Sequence, residues 1–144
     1  MSVQVTIHLN FQGQARAALA FYQSVFGGQV TQFSYRESGM PHDPADADRI
    51  IWGQVSASNG FRIMAYDVQA DKPWDQGRNA FYAVLGGAAE DEIRSLWDKL
   101  AQGAVIEQAL APAQWSPLYG MLQDRFGVAW VVNVVRAPGT EANG

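Results

Sequence analysis

Residues Val3–Phe11 alternate between apolar and polar side chains, and this pattern predicts a β-strand with one buried face. The spacing changes along Gln14–Val30, where apolar residues recur every three or four positions, as in a helix with one buried side. These residues are Ala18, Phe21, Tyr22, Val25 and Phe26. Gly27 and Gly28 then end the helix, because glycine adopts the left-handed conformation without steric cost. The chain is therefore predicted to begin with a strand and an amphipathic helix.

The same helix pattern returns in the second half of the chain, at Ile93, Leu96, Trp97, Leu100 and Ala101. Each helix is followed by three segments with strand character, the last two of which form a predicted hairpin. The hairpins are Arg49–Ser58 with Phe61–Tyr66, turning at Asn59-Gly60, and Leu118–Gln123 with Val128–Val135, turning at Asp124–Gly127. Aligning Gly60 with Gly127 gives a smaller offset than aligning the helices, and a longer loop in the first half explains the difference. We therefore predict two copies of a βαβββ module.

The predicted organisation is a single domain over residues 1–144. It consists of a first module (1–67), a linker (68–78), a second module (79–136) and a flexible tail (137–144). The other predicted segments are the strands Val30–Arg36, Asn79–Leu85 and Ala104–Leu110 and the helix Ala88–Gln102. Two stretches have the composition of loops, namely the Pro/Gly/Asp-rich Glu37–Asp48 and Pro112–Pro117 around Trp115.

The composition argues against several classes of function. A chain of 144 residues with 48% hydrophobic content supplies one sizeable core. The net charge of −4 argues against nucleic-acid binding, which needs a basic surface. The sequence has no apolar run of about 18 residues for a membrane span, no signal-peptide pattern and no cysteine. We expect a cytoplasmic protein that binds neither nucleic acid nor membrane.

Several motifs run through both modules in a fixed order. They are Phe11-Gln12-Gly13, Leu19–Gly28, Met64–Asp67, Trp115 with Tyr119–Met121, and Asp124–Asn133. With this set the chain resembles the PhnB-like branch of the vicinal oxygen chelate (VOC) superfamily, which includes glyoxalase I, extradiol dioxygenases and bleomycin-resistance proteins. The resemblance implies an α+β fold in which the two βαβββ modules form one curved mixed β-sheet with the helices on its outer face. It also implies a homodimer with a cavity on the concave face of each sheet.

Active members of this superfamily hold a divalent metal through four His, Glu or Gln ligands, one from each of four strands. His8 suits the first ligand position, and the repeat carries it onto Ala83. The last hairpin puts another position at Val131, which the repeat carries onto Met64. Zn²⁺, Fe²⁺ and Mn²⁺ need at least three suitable protein donors, and this quartet offers one nitrogen. We therefore expect no metal, and Gly86-Gly87 is not the glycine-rich loop of a nucleotide-like cofactor site.

Alternation in the Phe61–Tyr66 segment puts Arg62, Met64 and Tyr66 on one face, which we expect to line the cavity. The full set of candidate ligand-binding residues is His8, Asn10, Trp52, Gln54, Arg62, Met64, Tyr66 and Trp115. A guanidinium among neutral hydrogen-bonding groups suits a small anion with an apolar body. The alternatives are a solvated Arg62, a Trp52 that belongs to the core, and a plain hydrogen-bonded His8.

The preferred function is that of a metal-free protein that binds a small-molecule ligand. One alternative is a metal-dependent VOC enzyme, such as a lyase, isomerase or oxygenase. A second is a metal-free enzyme that uses His8 or Tyr66 as an acid or base. A third is a domain whose main role is dimerisation or partner binding. The sequence does not decide whether the protein is an enzyme.

Overall fold

The structure is a computed structural model that describes residues 4–135, and it confirms an α+β fold of two βαβββ modules. The first module comprises β1 (Ile7–Phe11), α1 (Ala15–Phe26), β2 (Gln29–Ser34), α2 (Tyr35–Ser38), β3 (Ile50–Ser56) and β4 (Arg62–Asp67). The second comprises β5 (Ala83–Gly87), α3 (Glu90–Leu100), β6 (Val105–Ala113), β7 (Ser116–Gln123) and β8 (Ala129–Val134). The predicted strand start at Val3 and the predicted tail 137–144 lie outside the described residues.

The chain divides into two compact units between Gln76 and Gly77, which lies within the predicted linker. Each unit has its own four-stranded sheet, with the order β1-β4-β3-β2 in the first and β5-β8-β7-β6 in the second. In both sheets the first strand runs parallel to the last, and the other neighbours are antiparallel. Among the described residues, no helix combines the length and apolar character that crossing a membrane requires.

The repeat extends to the way each helix packs on its sheet. A β-carbon on Gly53 of β3 would overlap the side chain of Leu19 on α1. In the second unit, a β-carbon on Gly120 of β7 would lie 3.0 Å from the ring of Trp97 on α3. Gly53 and Gly120 are separated by the same offset as the turn glycines Gly60 and Gly127, so they occupy equivalent positions of the repeat. Each therefore leaves room for one large helix side chain against the sheet.

The carboxylate of Asp67, at the end of β4, joins three separate segments of the first unit. It accepts hydrogen bonds from the backbone N–H groups of Gly13 (2.7 Å), Ala15 (3.1 Å) and Ile50 (3.0 Å). The hydroxyl of buried Tyr35 donates to the Asp67 carbonyl oxygen at 2.6 Å. Burial, followed by the charges of nearby acidic groups, raises the pKa of Tyr35 to about 12. This hydroxyl therefore stays protonated and keeps donating to β4 at physiological pH.

The prediction of a continuous loop over Glu37–Asp48 was wrong. Ser34 and Glu37 form a capping box that ends β2 early and starts α2. A short 3-10 helix then spans Pro44–Asp46. The carboxylate of Asp46 is 1% exposed and accepts the N–H of Ala70 at 3.1 and 3.2 Å. This hydrogen bond holds the segment against the chain that follows β4, and no local sequence pattern predicts it.

The predicted loop Pro112–Pro117 was also wrong. Strands β6 and β7 extend through most of it, Ala113 pairs with Ser116, and only Gln114 and Trp115 form the turn. Pro112 is tolerated because β6 lies at the edge of its sheet and its pairing with β7 is irregular.

Candidate functional site

Helix α1 packs on one side of the first sheet, and we call the opposite side the open face. On the α1 side the strand residues are buried, among them Leu9, Ile63 and Ala65. Residues of the open face are exposed or half-buried, as alternation along a strand requires. Seven of the residues predicted from sequence share this face: His8, Asn10, Trp52, Gln54, Arg62, Met64 and Tyr66.

The strand register arranges the open face in rows that cross the sheet. These are the central row of His8, Met64, Gln54 and Thr31, the aromatic row of Asn10, Tyr66, Trp52 and Phe33, and the cationic row of Arg62, Ser56 and Gln29. Within the aromatic row, the ladder that pairs Gly53 with Ala65, continued by one residue, brings Trp52 beside Tyr66. Rows lie about 7 Å apart, because successive residues on one face are two positions apart in the strand, at about 3.3 Å per residue.

His8 is held in place by two of its neighbours. Its Nδ1 lies 2.8 Å from Oδ1 of Asn10, and its ring meets the ring of Tyr66 edge-on at a centroid distance of 5.2 Å. A carboxamide oxygen accepts from an N–H, so this contact favours the tautomer with the proton on Nδ1. The other ring nitrogen, Nε2, is then an acceptor on an exposed side chain.

Arg62 supplies the positive charge of the open face. Its Nη1 donates to Oε1 of Gln4 at 3.1 Å, and within residues 4–135 no carboxylate pairs with it. It borders a groove of about 400 Å³ lined by Gln4, Val5, Thr6, Ser56, Ala57, Gly60, Phe61 and Arg62. An exposed guanidinium beside a groove with hydroxyl and amide groups can bind a carboxylate or phosphate.

Trp115, the eighth predicted residue, lies in the second unit. It occupies the turn between β6 and β7, is 66% exposed, and meets Tyr119 edge-on at 5.1 Å. Its place in the structure is thus a surface turn of that unit.

Sequence reasoning missed two aromatic residues near the open face. Phe33 on β2 is 49% exposed and lies 6.0 Å from Trp52, centroid to centroid. The alternation of Thr31 and Phe33 with their strand neighbours was a signal that could have placed it there. Trp74 donates its indole N–H to the carbonyl oxygen of Asn10 at 3.0 Å. No local pattern predicts this contact, which arises because the chain after β4 folds back along β1.

The structure corrects one of the positions expected for metal ligands. His8 pairs with Met64 in the first sheet, and at the equivalent place in the second sheet Val131 pairs with Val84 and not with Ala83. The connection from β5 to α3 is one residue shorter than that from β1 to α1. The sequence separation between β1 and β5 is therefore one residue larger than the separation between α1 and α3. A shift of one residue turns Ala83 to the buried side, where it is 1% exposed.

The corrected positions do not fit a divalent metal. Both valines lack a donor atom, and Met64 offers only a thioether, a soft ligand that suits neither Zn²⁺ nor Mn²⁺. His8 is again the one nitrogen donor among the four.

The two glycines after Leu85 are explained by packing within their own unit. A β-carbon on Gly86 would lie 2.8 Å from Cγ2 of Val135, and one on Gly87 would lie 3.3 Å from Cδ1 of Ile93. The first turn of the following helix carries Glu90, Asp91 and Glu92, whose charges disfavour a phosphate at that helix end. These residues do not fit a nucleotide-like cofactor.

Comparison with known proteins gives consistent likenesses. Residues 3–133 match the model of a family described as 3-demethylubiquinone-9 3-methyltransferase. Protein PA1353 of Pseudomonas aeruginosa is similar in structure, with a TM-score of 0.84 and 30% identity over 94% of this chain and 100% of that one. A PhnB protein from Bacillus cereus has a TM-score of 0.74 and 26% identity over 92% of this chain and 100% of that one. A glyoxylase/bleomycin resistance protein/dioxygenase domain from Frankia shares the fold, with a TM-score of 0.66 and 11% identity over 94% of this chain and 99% of that one.

Proposed function

The chain belongs to the PhnB-like family described as 3-demethylubiquinone-9 3-methyltransferase, with the glyoxalase/VOC fold, and from this premise we propose that it is a metal-free binding protein for a small anion with an apolar body. The observation that carries the proposal is the open face, where three strands present neutral hydrogen-bonding groups, aromatic rings and a cation that no carboxylate of residues 4–135 neutralises. Such a combination of an apolar surface and a few polar groups is typical of small-molecule sites. The methyl transfer in the family's description is not part of the proposal.

The first test concerns Arg62. We expect Arg62→Gln to weaken binding of small carboxylates, such as phenylacetate and octanoate, by roughly 10- to 100-fold, because a hydrogen bond to a charged group contributes about 1.5–3 kcal/mol. Arg62→Lys keeps the charge but loses the planar fork, so its affinity should lie between the two. Isothermal titration calorimetry measures all three dissociation constants.

Arg16→Gln is the matched control, since Arg16 is an exposed arginine on α1, away from the open face. It should bind like the unmutated protein. Equal affinities for Arg62→Gln and the unmutated protein would overturn the proposed site.

The metal-free part of the proposal has its own test. Protein prepared without chelator and without a metal-affinity step should contain well below one Zn, Mn, Fe or Ni per chain, because the corrected ligand positions supply one nitrogen donor. Inductively coupled plasma mass spectrometry gives the ratio. A stoichiometric metal that is lost in His8→Ala would instead support the metal-dependent enzyme.

The homodimer implied by the family is kept as part of the proposal. It is supported by large apolar side chains of the second unit that are more than 60% exposed, namely Phe81, Val84, Val105 and Trp115. A second copy that covers them would remove this apolar area from water. Sedimentation equilibrium of the unmutated protein should give twice the chain mass, and a monomer at micromolar concentration would contradict it.

One observation favours a second candidate function, that of a metal-free enzyme for proton transfer. Because Asn10 holds Nδ1 of His8, Nε2 is positioned to accept a proton from a bound ligand and return it. If this is the function, a carboxylate with an acidic C–H bond will exchange that hydrogen in D₂O, as followed by NMR. His8→Ala should then abolish the exchange while binding persists, and exchange at an undiminished rate would exclude His8 as the base.

A further inference from the structure

The open face differs between its two ends. The aromatic row lies at one end, with Trp52 half-buried and Phe33 49% exposed. The cationic row lies at the other end, with Arg62 beside a polar groove. Apolar area and positive charge are therefore separated along the strands rather than mixed.

The distance between the ends follows from strand geometry. Arg62 and Tyr66 are four residues apart on β4, and at about 3.3 Å per residue this places their α-carbons about 13 Å apart. The guanidinium of Arg62 donates to Gln4, which precedes the start of β1, and so it points away from the aromatic row. A ligand that touches both ends must span at least this distance.

Both ends keep binding capacity, although Arg62 donates one hydrogen bond to the Gln4 side chain. Arg62 pairs with no carboxylate between residues 4 and 135, and about half of the Phe33 surface remains open to solvent. The central row between them offers His8 and Gln54 as hydrogen-bonding groups and Met64 as an adaptable apolar surface. Charge complementarity therefore points to an anionic occupant, and the aromatic row gives that occupant a flat apolar end.

We propose that the ligand is an elongated amphipathic carboxylate. Its flat apolar group stacks on Trp52 and Phe33, and its carboxylate binds Arg62 at the other end of the face, at least about 13 Å away by the strand rise. This inference rests on the proposed function and adds to it both the length of the ligand and the separation of its two chemical ends. In this proposal Phe33 determines the specificity for the apolar group of the ligand.

The experiment compares three probes below their micelle-forming concentrations, namely phenylacetate, octanoate and 8-phenyloctanoate. The long aryl acid can reach both ends, octanoate carries no ring, and phenylacetate is too short to span the face. We expect Phe33→Ala to weaken 8-phenyloctanoate binding by at least fivefold and to leave octanoate within twofold. Arg62→Gln should weaken binding of 8-phenyloctanoate and of octanoate by tenfold or more. The alcohol 8-phenyloctanol lacks the charge, so it should bind the unmutated protein and Arg62→Gln equally.

A second variant, Phe33→Leu, preserves apolar volume but removes the flat ring, and it should behave like Phe33→Ala if stacking is what matters. Near-ultraviolet circular dichroism of each variant checks that the fold is retained. If Arg62→Gln weakens every acid while the Phe33 variants change nothing, the two-ended ligand is excluded and the anion-binding function stands. If Arg62→Gln changes none of them, both fail. If Phe33→Ala instead dissociates an oligomer, this face is covered by a second copy and the inference is overturned.

Discussion

Asp67→Ala is expected to lower the free energy of unfolding by about 3–5 kcal/mol, because it removes the acceptor of three backbone N–H groups, and the two that are buried cost about 1–3 kcal/mol each. The N–H groups affected are those of Gly13, in the connection from β1 to α1, and of Ala15 and Ile50, the first residues of α1 and β3. Ala15 and Ile50 are 0% exposed, so water does not replace the acceptor that these two N–H groups lose. Urea denaturation followed by far-ultraviolet circular dichroism measures the change.

Asp67→Asn is the matched control for this prediction. Its carboxamide oxygen can still accept on the side of Gly13 and Ala15, where both N–H groups share Oδ1. Its NH₂ group would face the N–H of Ile50, which Oδ2 now accepts. We expect a loss smaller than that of the alanine variant, by about 1–2 kcal/mol for the pair of hydrogen bonds retained. A loss below about 1 kcal/mol for Asp67→Ala would contradict the importance assigned to this carboxylate.

The elements of the fold were largely predictable from the sequence because their patterns are local. The helix stripe and its terminal glycines located α1, and the alternation of apolar residues located β1 and β4. The repeat gave further support, because the second module shows the same helix and hairpin patterns as the first. The fold class follows from these patterns and is supported by the family match over residues 3–133.

The prediction errors arose where a shift of one residue, or the contacts of one side chain, determine the local structure. Ala83 was placed instead of Val84 because a single repeat offset was applied to strand and helix, although the connection between them differs by one residue. The loop over Glu37–Asp48 hid a capping box and a buried carboxylate, that of Asp46, whose partner Ala70 is distant in sequence. Contacts over such separations are not encoded in any local window.

The candidate site shows the same division. Alternation alone grouped Arg62, Met64 and Tyr66, because side chains on one strand obey a strict period of two. The register between strands, which sets the order of the rows, depends on turns and bulges such as the shift at Phe33/Ser34. For this reason the sequence proposed a mixed cavity, whereas the structure separates an aromatic end from a cationic end.

The cationic end also depends on Gly28, and Gly28→Ala is expected to cost about 3–4 kcal/mol of unfolding free energy. Its φ of +87° adds strain of about 1–2 kcal/mol for any L side chain, and overpacking adds about 1–3 kcal/mol. The new β-carbon would overlap the carbonyl oxygen of Ser56 and lie 2.8 Å from Cα of Ala57. Both obstacles are backbone atoms, so no side-chain rotation relieves the overlap.

Gly39→Ala separates strain from overlap, since Gly39 also has a positive φ, of 72°, but its β-carbon would meet nothing within 4 Å. We expect it to cost about 1 kcal/mol and to leave carboxylate binding unchanged. Gly28→Ala must instead move Ser56 and Ala57, and Ser56 pairs with Arg62 across the sheet. It should therefore lower both stability and affinity for 8-phenyloctanoate, measured by urea denaturation and calorimetry on the same samples. Equal stabilities for the two glycine variants would show that the end of β3 moves without energetic cost. The position of Arg62 would then not depend on the close approach of Gly28 to Ser56 and Ala57.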